Sequence, residues 1–163
     1  MIRFRQSLKS CPIDTPLSTG EVELRPFGGA DLPPNQPWME ATVTLRIATV
    51  SIDARDPWSM GRFWADALGW EDRTDEEGDV WVEPGVDHPD RGSVRPLLFL
   101  AVPEVKSVKN RLHLDLTPDD QAREVERLVA LGAVRAAVGQ DGTEDWVVLA
   151  DPEGNEFCVL SAD

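Results

Sequence analysis

The sequence predicts an α+β fold in which a strand–helix–three-strand unit occurs twice in tandem. Each half opens on alternating apolar and polar residues, continues with one amphipathic helical stretch, and closes with short β-type segments separated by turn residues. Both helical stretches end on the same tripeptide, Ala67-Leu68-Gly69 and Ala130-Leu131-Gly132. A half of this size cannot bury both its helix and its sheet alone, so the two are expected to pack together.

Leu45–Ala54 (LRIATVSIDA) reads as the first strand. Asp56 is a natural N-cap, and Pro57 sits at the first helical position, where its missing N–H costs nothing. Met60, Phe63, Trp64, Ala67 and Leu68 then recur with helical spacing until Gly69 ends the helix. Three strands follow at Trp70–Thr74, Asp79–Glu83 and Pro96–Val102, divided by the turns EEGD and HPDRG. The second half starts with a strand at Lys109–Leu116 (KNRLHLDL). Thr117 is expected to cap the second helix and Pro118 to start it, with Asp119 and Asp120 at its positive end. Val125, Leu128 and Val129 make its apolar stripe and Gly132 ends it. Strands at Ala133–Val138, Trp146–Ala150 and Asn155–Ser161 complete the set.

Composition narrows the function. The chain has 163 residues and is 41% hydrophobic with six Trp and five Phe, enough to build a core. Sixteen Lys+Arg against 30 Asp+Glu give a net charge of −14. Such a surface repels a phosphate backbone or an anionic bilayer, so no nucleic acid and no membrane is expected as partner. No apolar run is long enough to span a bilayer, and the basic N-terminus lacks the apolar stretch of a secretory signal. Two cysteines, Cys11 and Cys158, form no CxxC, which fits a reduced cytoplasmic protein.

Residues 1–38 differ from the rest. They carry zero net charge, hold six of the 13 prolines, and show a strand signal only at Val22–Leu24. They are expected to form a poorly ordered extension, or an arm anchored by Phe27 and Trp38. Met39 directly after them is an alternative start. The folded domain is expected over residues 39–163.

Strand parity divides each opening strand into two faces. Val50, Ile52 and Ala54 alternate with Thr49, Ser51 and Asp53; Leu112, Leu114 and Leu116 alternate with Lys109, Arg111, His113 and Asp115. The apolar faces suit the helices. The polar faces are either solvated or line a shared cavity.

The stretches DARDPWSMGRFWADALGW, VPEVKSVKNRLHLDLTPDD, LVALGA and LADPEGNEFCVL resemble the glyoxalase-like group of the vicinal-oxygen-chelate superfamily, which includes glyoxalase I, bleomycin-resistance proteins and extradiol dioxygenases. The resemblance covers about residues 44–161, with modules near 44–104 and 108–161. It implies two tandem βαβββ modules whose mixed sheets curve into a ligand-holding cup, with helices outside. It also implies where a metal would sit in metal-dependent members: on the first and fourth strands of each module. His113 falls on one such position and Cys158 stands where those members have a glutamate. The first module offers only Thr49 or Ser51, and its fourth strand PLLFLAV has no acidic residue. One His and one Cys fall short of three protein ligands. No cofactor is therefore expected: a divalent metal is conceivable, but its ligands look lost.

His113 and Asp115 are the candidate catalytic residues, the carboxylate orienting an imidazole suited to general acid–base work; a plain hydrogen-bonded strand histidine is the other reading. Lys109 and Arg111 would favour an anionic or carbonyl-bearing ligand, or are surface charge. Trp81 and Trp146 offer flat contact area, or pack within the sheets. Thr49, Ser51 and Cys158 complete the candidate ligand-binding set, although a cysteine is more often a small buried apolar residue. Trp64 belongs to the core and His88 to a solvated loop. Three functions follow: a metal-independent binder sequestering a small molecule, as bleomycin-resistance proteins do; a lyase, isomerase or dehydratase using His113 and Asp115; or an interaction module with a vestigial cup. The expected partner is a small molecule, with a homodimer as the expected assembly.

Overall fold

A computed structural model of the chain describes residues 45–161 except Gly142. The expectations for residues 1–38, for a start at Met39 and for Cys11 lie outside the described residues.

Two mixed four-stranded sheets with the same topology follow one another. The first module comprises β1 (Val50–Ala54), α1 (Pro57–Leu68), β2 (Glu71–Thr74), β3 (Val80–Glu83) and β4 (Leu97–Ala101), in the sheet order β1-β4-β3-β2. The second comprises β5 (Asp115–Leu116), α2 (Gln121–Leu131), β6 (Val134–Arg135), β7 (Val147–Ala150) and β8 (Glu156–Val159), in the order β5-β8-β7-β6. In each sheet the opening strand runs parallel to the last, because a helix returns the chain between them, and the other pairs are antiparallel. This is the α+β fold of two tandem βαβββ modules.

The helices form where the sequence places them, with one difference in capping. Asp56 accepts from the Ser59 N–H at 3.1 Å and the Ser59 hydroxyl at 2.6 Å, and these bonds hold its carboxyl below the usual carboxylate range. In α2 the cap is Asp120, which accepts from the Arg123 N–H at 3.1 Å, so Thr117 and Pro118 precede the helix rather than start it. Either Thr117 or Asp120 satisfies the local rule. A carboxylate accepts more strongly than a hydroxyl, and the nearer one wins. Gly69 and Gly132 end the helices with φ of 67° and 118°, a region closed to most side chains, which explains the repeated Ala-Leu-Gly.

Each sheet presents alternate residues to a single shared core. Ala54, Val80, Val82, Leu97 and Phe99 of the first sheet join Leu149, Phe157 and Val159 of the second, with Met60, Phe63 and Trp64 of α1 and Val125 and Leu128 of α2. Gly61 lets α1 lie flat on its own sheet, since a Cβ there would overlap the Val80 side chain. The same helix also reaches the second sheet: Phe157 stands 5.0 Å from Trp64 and 6.4 Å from Phe63, ring centre to ring centre.

Polar contacts reinforce this junction. Trp64 Nε1 donates to Asp151 at 3.3 Å, and the Glu153 carboxylate accepts the N–H groups of Arg55 and Asp56 at 3.0 and 2.8 Å. Arg127 of α2 donates to the carbonyls of Asp66 and Ala67 at the end of α1.

The opening strands are shorter than expected. Residues 45–49 and 109–113 lie outside the ladders, and Leu45 (91% exposed), Ile47 (69%) and Leu112 (89%) point to solvent. A strand exists only as far as a partner pairs with it. Pairing of β5 ends where Cys158 N–H donates to the Leu114 carbonyl, because β8 begins at Glu156. The apolar alternation therefore holds from Leu114 to Leu116 and fails at Leu112.

Candidate functional site

Parity in the ladders fixes what the uncovered faces carry. In the second sheet Leu114, Leu116, Phe157 and Val159 serve the core, so Asp115, Glu156 and Cys158 point to the opposite face, with Cys158 directly across from Asp115. His113, two residues before Asp115, projects with it. His113 Nδ1 lies 2.8 Å from Asp115 Oδ1 and 4.0 Å from Cys158 Sγ. The ligand atoms of the three side chains all fall within 4.8 Å of one another. His113 and Asp115 are each about half exposed, so ligands can reach them.

Electrostatics separate the members of this group. Burial, a hydrogen bond with Asp115 and the Asp115 charge push the Cys158 thiol up, with Lys109 opposing, so the sulfur rests as a thiol and is a poor nucleophile. Glu156, next along the same face, is committed elsewhere. Burial raises its pKa, but the Lys106 ammonium at 2.9 Å and the Asn110 N–H at 3.1 Å outweigh that and hold it below the usual range.

Lys109 and Arg111 do not stand on β5. They lie in the irregular segment before it and, with Val108, Asn110 and His113, line an open pocket of about 510 Å³. The first-module candidates stand apart from it. The Thr49 hydroxyl donates to the Pro96 carbonyl at 2.9 Å. Ser51 and Trp81 lie on the face of the first sheet away from its helix, both in register with the buried Leu98, and the Arg73 guanidinium sits 5.5 Å over the Trp81 ring. Trp146 precedes β7 and is 45% exposed. His88 is half-buried against Trp70 and 3.8 Å from Asp90, not solvated as its loop position implies.

The resemblance offers only His113 and Cys158 at its metal positions. The pairing of β5 with β8 makes Asp115 a third donor beside Cys158. The i, i+2 spacing of His113 and Asp115 was the available signal. A thiolate, an imidazole and a carboxylate are together a donor set that fits a borderline divalent metal.

The tandem βαβββ fold places the protein in the vicinal-oxygen-chelate superfamily of glyoxalases, bleomycin-resistance proteins and dioxygenases. The chain belongs to the glyoxalase-like domain family, which matches residues 49–160. Among solved structures it is similar to a glyoxalase/bleomycin resistance protein/dioxygenase family enzyme from Burkholderia phytofirmans PsJN, at 18% identity and a TM-score of 0.54, covering 71% of this chain and 98% of that one. It is likewise similar to TnmS3, an antibiotic-binding protein from Streptomyces sp. CB03234, at 17% identity and a TM-score of 0.51, covering 76% and 100%. No curated protein is significantly similar in sequence. Among the described residues no helix is long and apolar enough to cross a membrane.

Proposed function

We propose that the chain binds a small anionic or carbonyl-bearing molecule on the uncovered face of its second sheet and holds it without turnover. The observation that carries this is the pocket where Lys109, Arg111 and His113 converge. Two fixed cations beside a carboxylate-oriented imidazole supply charge-assisted hydrogen bonds to an anion. The fold shared with TnmS3, an antibiotic-binding protein, supports a sequestering role. The His113–Asp115 bond of 2.8 Å favours a second reading, proton transfer in a lyase, isomerase or dehydratase reaction.

The aromatic anion 8-anilinonaphthalene-1-sulfonate is a suitable probe. Chelator-treated protein should bind it saturably, and Arg111→Ala should weaken binding about fivefold, the loss of roughly 1 kcal/mol from one hydrogen-bonded charge. Equal affinity in the wild type, Arg111→Ala and His113→Ala would move the site elsewhere.

We further infer that a second copy covers the uncovered faces. Both helix-covered faces meet in one core, so the opposite faces turn away from it. Beside them Leu45, Ile47, Val105, Val108 and Leu112 expose apolar side chains. Native mass spectrometry of fresh protein should show a dimer; a monomer at micromolar concentration rules this out.

A further inference from the structure

We propose that a cleft between the two modules, on the helix side of the sheets, binds a short apolar peptide as a strand added to the free edge of β5. The site goes beyond the ligand-binding reading and shares no lining residue with the pocket of Lys109, Arg111 and His113. It measures about 700 Å³, within the usual range of ligand pockets. Val50, Leu68, Trp70, Leu116, Leu128 and Val159 form its apolar floor. Leu128 and Val159 belong to the shared core, and Leu68, Trp70 and Leu116 pack against it, which places the cleft on the helix-covered side. Val50, on the same floor, is left 37% exposed.

The main chain supplies the amide partner. β5 ends its sheet, so among the described residues no strand pairs with its outer edge. The carbonyls of Leu114 and Leu116 accept from the N–H groups of Cys158 and Leu160. Main-chain directions alternate along a strand, so the N–H and C=O of Asp115 point away from β8. The Asp115 side chain turns to the uncovered face beside His113, yet Asp115 also lines the cleft, which it reaches through this unpaired N–H and C=O. An extended peptide satisfies such an edge with its own amides and sets alternate side chains on the floor. Charge selects a free carboxyl terminus. Arg95 and Arg123, one from each module, line the cleft, and among the described residues neither guanidinium has a hydrogen bond or ion pair. In a chain with 30 acidic residues against 16 basic ones, two unpaired arginines beside one apolar floor favour a carboxylate. Glu124 is already paired with Arg127 and Asp120 caps α2, which leaves Asp90 and Asp119 of the lining to suit the peptide's ammonium.

Calorimetric titration of the full chain with the tripeptide Val-Phe-Val tests the site. Binding should saturate at about one equivalent per chain. In two-dimensional NMR spectra the Asp115 amide and the Trp70 indole N–H should shift with the same saturation curve. Methylating both amide nitrogens of the tripeptide should weaken binding about tenfold or more, because it removes the donors that an added strand uses. Arg95→Gln combined with Arg123→Gln should weaken the free acid about tenfold and leave the carboxyl-amidated tripeptide unchanged. A loss confined to the free acid cannot come from misfolding. The proposal is overturned if binding does not saturate, if methylated and unmethylated tripeptides bind equally, or if the shifts gather at Arg111 and His113 instead. Phenylpropionate binding as tightly as the tripeptide would overturn it too, since the main-chain edge would then contribute nothing.

Discussion

Phe157→Ala should lower the free energy of unfolding by about 3–5 kcal/mol, the cost of emptying a fully buried phenylalanine site. Phe157 is 1% exposed and occupies the junction between α1 of the first module and β8 of the second. Its removal leaves Trp64 and Phe63 facing a void that neither stiff ring can collapse to fill. Urea titration measures the effect as a shift in midpoint at nearly constant slope. Two separate transitions in the variant would show that the junction alone makes the modules unfold together. A loss below about 1 kcal/mol would mean that α1 is not docked on the second sheet.

Asp151→Ala should cost about 3 kcal/mol through a different mechanism. Asp151 is 2% exposed and accepts from Trp64 Nε1, from the N–H groups of Glu153 and Asn155, and from the Asn155 side chain. Truncation orphans several donors at once, each worth about 1–3 kcal/mol when buried. Because Trp64 and Asp151 share a bond, Trp64→Phe should cost less in the Asp151→Ala background than in the wild type. Additive losses would show that the bond contributes nothing.

The pH dependence of this pair of proteins has a definite sign. Burial raises the Asp151 pKa above 3.8, against the hydrogen bonds that lower it. A carboxyl raised in the folded state contributes stability that is present below its unfolded pKa and lost as pH rises through its folded value. The gap between wild type and Asp151→Ala should therefore narrow as pH rises through that window. Asp56 and Glu156, both lowered, act oppositely: their contribution is present above the unfolded pKa and lost as pH falls through the folded one. A gap that widens with rising pH would refute the assignment for Asp151.

What could be read from the sequence follows from what is local. Asp56-Pro57, the helical spacing from Met60 to Leu68, and the two Ala-Leu-Gly ends depend on neighbours in the chain, and the structure reproduces them. Side-chain parity in Val50–Ala54 and Asp115–Leu116 is equally local, so the division of faces was legible. Strand length was not. Leu45, Ile47 and Leu112 look like strand residues, yet pairing is decided by where β4 and β8 begin and end. Partnership across the chain was hidden for the same reason. Nothing near Asp151 or Glu153 announces that they grip Trp64 and the start of α1. Asp115 looked like an orienting residue because its second neighbour, Cys158, is 43 positions away (158 minus 115) and meets it only through the parallel pairing.

The two faces of β8 can be inherited separately. Phe157 and Val159 keep the strand in register against the core, while Glu156 and Cys158 occupy the side that the core never touches. In the first module the corresponding side of β4 carries Leu98, which is buried, and Leu100 instead, on a strand whose other side is held by Leu97 and Phe99. A duplicated unit has thus kept one alphabet for its architecture and written two different words on its outer side. New chemistry at positions such as 113, 115 and 158 can be tried by single substitutions without redrawing the scaffold, whereas Glu156 is tied to Lys106 and the Asn110 N–H. That freedom lets one fold accumulate unrelated activities while its core stays the same.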